Sequence, residues 1–348
     1  QRLPRLIGVP KAVEMITGGR PVEAAEAHRI GLVDAVATGE LGADASAFAR
    51  SIVGKPPPDL AERGTPAPPA EGWFDRRRRE IAHKARGRHS PVKALEAVEA
   101  ACAHDLESGL AIERALFLDL KASDQARALR HAFFAERTVS KVPALEGIQA
   151  HAIERAGVVG GGTMGCGIAV ALLLADLPVT LVERDDPAVA RARDTIDGIL
   201  AGSVARRVID EAARSRMMDR LVGVTGYADL ADCDLIVEAV FEDMAVKQDV
   251  FRSLDAIARP GAVLATNTSY LDIDRIAAAT GRPGDVIGLH FFAPAHIMKL
   301  LEIVQGAKSA PEVLATGFAL AKRLRKVGVL SGVCDGFIGN RIPVSYTH

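Results

Sequence analysis

Neither sign of charge prevails in this 348-residue sequence, in which 43 Lys and Arg stand against 44 Asp and Glu. No overall field draws the chain to nucleic acid or to an anionic membrane surface, so small molecules or other subunits are the expected partners. Cysteine is scarce as well. Cys102, Cys166, Cys233 and Cys334 lie far apart and show neither C-x-x-C nor Cys/His ligand spacing. That excludes a disulfide framework and a zinc site, and leaves reduced, mostly buried thiols of an intracellular protein as the expectation. Long apolar runs are missing too. The longest, 168–182, is interrupted by Asp176 and Pro178, whereas a membrane span needs about 20 apolar residues. No signal-peptide pattern opens the chain, and its first residue is Gln1 rather than methionine. No internal repeat is visible.

What is present is apolar material enough for two or three buried cores, 49% of all residues. Residues 1–50 read as helix, turn, helix: "PKAVEMITGG" closes on a glycine pair, Pro21 stands in the first turn of the second helix, and a short apolar strand follows. The proline-rich stretch 55–72 reads as a surface linker. "FDRRRRE" then opens a polar helix, whose arginines read as a solvated face rather than a phosphate site. Ser90 and Pro91 suit the cap and first turn of a longer helix. On it Val92, Leu95, Val98 and Cys102 recur at helical spacing, as do Leu116, Phe117 and Leu120 in the next segment.

From about residue 155 the pattern changes. "RAGVVG", "PVTLVE", "DLIVEAV", "AVLATN" and "DVIGLHFF" are predicted strands, separated by helices at 164–174, 187–199, 244–257 and 273–279. This alternation predicts an α/β fold, a Rossmann-type doubly wound parallel sheet, behind a mainly helical first part.

"GVVGGGTMGCGIA" supplies Gly160-x-Gly162-x-x-Gly165 where a strand passes into a helix. Gly160 permits the tight turn, Gly162 lets the backbone approach a pyrophosphate, and Gly165 lets helix pack on strand, while the helix N-terminus faces the anion. Glu183, about 20 residues further on at the end of "PVTLVE", is placed to accept hydrogen bonds from adenosine ribose hydroxyls. The same acid repels a 2′-phosphate, so the implied cofactor is NAD rather than NADP, although Arg184 stands beside it.

His290 and Glu302 are ionisable side chains in "GLHFFAPAHIMKLLEIV", a run that otherwise reads as core. Removing hydride from an alcohol carbon requires a base for the hydroxyl proton, and histidine titrates in the right range. His290 falls at the carboxyl end of a predicted strand, where open α/β sheets bind ligands. Glu302, in the returning apolar segment, would be costly to bury unpaired; on the other ring nitrogen it would fix the tautomer and stabilise the imidazolium. "NTSYL" places Asn267, Thr268 and Ser269 at another strand end, and "DGFIGNR" carries Asn340 and Arg341. Either could be ordinary turn chemistry.

Together "GVVGGGTMGCGIA", "DLIVEAVFEDMAVKQDVF", "ATNTSYL", "GLHFFAPAHIMKLLEIV" and "DGFIGNR", in this order, resemble the NAD-binding domain of L-3-hydroxyacyl-CoA dehydrogenases. The resemblance implies His290 as general base, Glu302 as its orienting partner, and Ser269 and Asn340 as groups that hydrogen-bond the substrate oxygen. It also implies Glu242 and Lys247 as a cofactor-contacting pair. Ala293 departs from the Asn or Ser frequent at its place in the family. The first half, "QRLPRLIGVPKAVEMITGGRPVEAAEAHRIGLVDAV", resembles the later part of a crotonase (enoyl-CoA hydratase/isomerase) domain. "SPVKALEAVEAA" and "IERALFLDLKASDQARALRHAFFAER" are similar to the linker helices of multifunctional β-oxidation proteins.

The resemblance therefore implies residues 1–54 as the end of a crotonase domain, 55–150 as loop and linker helices, 151–334 as the NAD-binding domain, and 335–348 as the start of a truncated helical domain. Hydratase catalytic residues are not assigned, because in crotonases they precede "QRLPRL". The implied reaction is oxidation of an L-3-hydroxyacyl-CoA thioester to the 3-ketoacyl-CoA. A homo-oligomer or thiolase complex is expected of the full-length protein, with no nucleic acid, metal or membrane span. Its expected setting is a bacterial cytoplasm, with a peroxisome as the alternative. Two other readings stay open: a β-hydroxyacid dehydrogenase acting on free acids through a lysine base, and an NAD-binding fragment without turnover.

Overall fold

A computed structural model of the chain describes residues 1–56 and 59–342. Pro57 and Pro58 of the proline-rich stretch, and 343–348 of the expected helical domain, lie outside the described residues. The chain divides into two compact units, Gln1–Phe133 and Phe134–His348.

The first unit is helical: α1 (Arg2–Ile7), α2 (Val9–Gly18), α3 (Ala24–Arg29), α4 (Leu41–Ile52), α5 (Trp73–Ala85), α6 (Ser90–Ala103) and α7 (Leu106–Ala122), with α8 (Asp124–Thr138) running across the boundary. Its core is small, formed by Val9, Val13, Ile81, Leu95 and Val98. Gly19 ends α2 in the left-handed region, as its place in the glycine pair suggests. Three expectations are corrected here. The segment after α3 is turn and irregular chain rather than a strand: the Leu32 and Val33 amides turn back to the Ala27 carbonyl, and no strand among the described residues pairs with it. Pro21 precedes α3, which begins after an extended Glu23. Ser90 is the first helical residue itself, so its hydroxyl caps nothing, although Pro91 does lie in the first turn. Arg77 and Arg78 pair with Glu80, Asp75 and Glu99 along the surface.

The second unit is the α/β layer structure. Eight strands, β1 (Ala156–Val159), β2 (Val179–Val182), β3 (Leu221–Val224), β4 (Leu235–Glu238), β5 (Val263–Thr266), β6 (Val286–Phe291), β7 (Leu300–Gln305) and β8 (Val327–Gly332), form one sheet in the order β3-β2-β1-β4-β5-β6-β7-β8. The helices are α9 (Thr163–Leu174), α10 (Asp186–Ala205), α11 (Glu211–Asp219), α12 (Met244–Ile257), α13 (Ile273–Ala277) and α14 (Pro311–Arg323). Apolar side chains form two buried clusters. One centres on α9, β1, β6 and α14, with Ile168, Leu172, Leu289 and Leu320; the other on α12 and α13, with Phe251, Leu254 and Ile276.

β1 to β6 are parallel, as the alternating pattern predicts, but β7 runs antiparallel to β6, and β8 is parallel to β7. A parallel return needs a crossover of a dozen or more residues. The loop 292–299 is too short for one, so the chain reverses. β7 and the two edge strands β3 and β8 were not among the predicted strands; nor were α11 and α14 among the helices. The order reverses at β1, whose neighbours are β2 and β4, and a crevice outside the carboxyl ends of β1 and β4 is where such sheets bind ligands.

Candidate active site

The glycine loop occupies that crevice. Gly160 has φ of 98°, in the region that favours glycine, and a Cβ there would stand 2.8 Å from the Ala239 carbonyl oxygen beyond β4. At Gly165 a Cβ would fall 1.7 Å from the Gly160 carbonyl oxygen, so α9 closes on the turn only without a side chain. Gly162, the N-cap of α9, is different: a Cβ there would meet nothing within 4 Å. Asp185, Asp243 and Asp272 cap α10, α12 and α13 with their own carboxylates, whereas no side chain caps α9. An open glycine at an uncapped helix start fits a pyrophosphate, whose charge the amides and helix dipole favour.

Glu183 follows β2 at the rim of the same loop. Its carboxylate accepts from the Gly161 amide at 2.7 Å and from the Arg184 amide at 3.0 Å. The acid is thereby held beside the glycines.

Between β4 and β5 lies a buried ionic cluster. Lys247, on α12, donates to Glu238 at 2.7 Å, with both side chains at 0% exposure. Its ammonium also stands 3.2 Å from Glu242, whose side chain is 38% exposed. Glu242 in turn accepts from the Thr268 hydroxyl at 2.6 Å and the Ser269 amide at 2.7 Å. Burial pushes the Glu242 carboxyl up, but these donors together with Lys247 outweigh it and hold the group below its ordinary value of 4.5.

His290 and Glu302 face each other as partners in the antiparallel β6–β7 register. Side chains directly opposite in such a pair share one face of the sheet, and the Nδ1 of His290 lies 2.6 Å from Glu302 Oε2. The other oxygen of Glu302 accepts from the Ile338 amide at 2.9 Å and the Gly339 amide at 2.7 Å. Burial raises the Glu302 carboxyl, yet the hydrogen bonds from His290, Gly339 and Ile338 outweigh it, so the group stays ionised below the usual range. An ionised Glu302 fixes the proton on Nδ1 and leaves Nε2 as the free base. The imidazole packs against Phe292 and Phe337, with ring centroids 4.4 and 5.7 Å away.

Ser269 and Asn340 lie on segments tied to the two strands that carry this pair. Asn267 Oδ1, two residues before Ser269, accepts from the Phe291 amide at 2.8 Å, and Asn340 follows the glycine whose amide holds Glu302. Both side chains are half-buried.

Some of this cluster was not anticipated. Glu238, Thr266 and the two amides at 338 and 339 carry the ionic networks, and only Glu238 left a trace in sequence: an acid inside the apolar run "DLIVEAV", the same signal that marked Glu302. Two of the four thiols, Cys166 and Cys233, are buried, and burial pushes both up to about 11. Cys102 and Cys334 are only half-buried. Among the described residues no helix is long and apolar enough to cross a membrane.

The low carboxyl values fix the sign of an acid response. A group held below 4.5 in the folded chain contributes stability that is complete above that pH and is lost as pH falls through its folded value. The urea midpoint is therefore expected to be flat just above pH 5 and to drop below about 4.5, and Glu302→Gln should reduce the size of that drop. An unchanged acid response in Glu302→Gln would count against the hydrogen-bonded, ionised Glu302.

Residues 155–334 match the family model described as 3-hydroxyacyl-CoA dehydrogenase, NAD binding domain. The peroxisomal bifunctional enzyme of Danio rerio is 42% identical over 99% of this chain and 48% of its own length. The fatty acid oxidation complex subunit alpha of Shewanella amazonensis is 34% identical over 99% of this chain and 50% of its own length. The chain thus spans about half the length of the curated relatives it matches. The crystal structure of 3-hydroxybutyryl-CoA dehydrogenase from Escherichia coli is similar with a TM-score of 0.54 and 37% identity, covering 55% of this chain and 41% of that one. With more than half of its length matched by the family model, in the unit that carries the glycine loop and the His290–Glu302 pair, this chain belongs to the 3-hydroxyacyl-CoA dehydrogenase family through that family's NAD-binding domain, and its cofactor is NAD.

Proposed function

We propose that the chain oxidises L-3-hydroxyacyl-CoA thioesters to 3-ketoacyl-CoA, as the dehydrogenase part of a bifunctional β-oxidation enzyme. The observation that carries this reading is the buried His290–Glu302 hydrogen bond of 2.6 Å at the carboxyl end of β6. His290 Nε2 takes the hydroxyl proton of the substrate. Glu302 stabilises the imidazolium that forms, and Ser269 and Asn340 hold the substrate oxygen. When bound, NAD supplies the hydride acceptor. Gly160, Gly162 and Gly165 form the loop that seats its pyrophosphate, Glu183 meets its adenosine ribose, and Glu242 contacts the cofactor with Lys247, at 0% side-chain exposure, held behind it.

In this reading residues 1–54 belong to a crotonase domain, 55–150 are the linker, and 151–334 are the NAD-binding domain. Support comes from relatives that align along 99% of the chain and are named bifunctional. The names of relatives include peroxisomal enzymes and a bacterial complex subunit; the alanine- and arginine-rich composition favours a bacterial cytoplasm. The complex in the bacterial relative's name is consistent with a thiolase or second-copy partner for the whole protein.

The test is loss of NADH absorbance with acetoacetyl-CoA as substrate. Turnover of the thioester and not of free acetoacetate is expected. Preference for the free acid would support a β-hydroxyacid dehydrogenase instead, and NADH binding without turnover of either would support a non-catalytic fragment.

A further inference from the structure

Glu238 has no part in the reaction just described, yet it is fully enclosed beside the cofactor crevice. It is the last residue of β4, at 0% exposure, and both of its oxygens are engaged. Oε1 accepts from Lys247 Nζ at 2.7 Å and from the Val240 amide at 2.7 Å; Oε2 accepts from the Thr266 hydroxyl at 2.7 Å. The three donors belong to the crevice wall beyond β4, to α12 and to the end of β5. Burying a charge pair of this kind contributes little to stability compared with apolar residues of the same volume. Its consequence is geometric: the ammonium of Lys247 has one place to sit.

From there the hydrogen bonds lead outward. Lys247 reaches Glu242 at 3.2 Å, and Glu242 holds the Ser269 amide and the Thr268 hydroxyl. Val240, fixed by the same carboxylate, follows Ala239, whose carbonyl oxygen lies against Gly160. We propose that Glu238 is a positioning residue for the cofactor crevice, holding Lys247 and the Val240 backbone, and through Lys247 the Glu242 carboxylate and the turn that carries Ser269. This rests on the reading of the crevice as the NAD site.

The experiment is fluorescence titration of NADH into the full chain and its Glu238→Gln variant, with thermal melting alongside. Glutamine keeps the size but removes the charge that holds the ammonium. NADH dissociation constants are expected to rise about tenfold or more, the worth of one charge-assisted hydrogen bond. In a Lys247→Met background the same substitution should add less than about twofold, because the group it positions is gone. A purely structural role would lower the melting temperature and leave binding unmoved in the folded variant, which would overturn the proposal, as would full additivity with Lys247→Met. If either single variant fails to fold, the double variant leaves no unpaired buried charge. It should then fold and bind NADH about tenfold more weakly than the parent, and parent-like binding by it would again overturn the proposal. A parent chain that does not bind NADH would overturn the cofactor reading and this role together, whereas parent binding that Glu238→Gln leaves unchanged would overturn the positioning role alone.

Discussion

His290→Ala is expected to lower acetoacetyl-CoA turnover by about 10²- to 10⁴-fold, the usual contribution of a positioned general base, while NADH binding survives. The separation follows from place. His290 stands at the end of β6 beside Phe292 and Phe337, whereas the glycine loop follows β1, with β4 and β5 between the two strands in the sheet. Alanine also leaves the Glu302 Oε2 carboxylate oxygen without its donor in a buried setting, which alone destabilises the protein. His290→Asn separates the two effects, since its amide nitrogen takes the place of Nδ1 and can still donate to Glu302 but cannot serve as a base. Both variants should lose turnover, and His290→Asn should melt closer to the parent. Parent-like turnover in either variant would remove His290 from the proton-transfer role.

The glycine loop supports the second large effect, because two of its glycines are needed for opposite reasons. Gly165→Ala places a methyl group 1.7 Å from a backbone oxygen, which no side-chain motion relieves. Overpacking a tight site costs about 1–3 kcal/mol, and a backbone clash should reach the upper end; a lowered melting temperature and lost NADH binding are both expected. Gly162→Ala meets open space at a backbone φ of −72°, which alanine adopts readily. It should melt within about 0.5 kcal/mol of the parent yet bind NADH at least tenfold more weakly, since its methyl group enters the space ascribed to the pyrophosphate. Calorimetry and a fluorescence titration on the two variants read this contrast. Unimpaired NADH binding by a folded Gly162→Ala would mean that the pyrophosphate lies elsewhere.

Local features of this chain are legible in its sequence. A glycine triplet between a β-branched run and an apolar helix, and an acid at the end of the following strand, depend on residues close in sequence. Their geometry is set by short-range sterics and by helix-end electrostatics. The five strands predicted from apolar runs correspond to β1, β2, β4, β5 and β6 for the same reason. β3 and β8 are the two edge strands of the sheet and only partly buried, so they carry too little apolar pattern of their own and form because a neighbouring strand supplies their hydrogen bonds.

The sequence by itself determined the chemistry on offer: an uncapped glycine turn suited to a dinucleotide, a histidine and a glutamate in apolar surroundings, and no metal-ligand spacing. Tertiary structure alone decided how those groups meet. The reversal of β7 against β6 turns a separation along the chain into a register pair, so that His290 and Glu302 share a face. Folding also brings the amides of 338 and 339 to the second oxygen of Glu302, and Lys247 between Glu238 and Glu242. The 338 and 339 amides reach Glu302 from 36 and 37 residues away, and even the partners nearer in the chain meet only once strand and helix are in place, since a buried polar group is stable only with partners that the folded sheet supplies. No periodicity in the sequence encodes them.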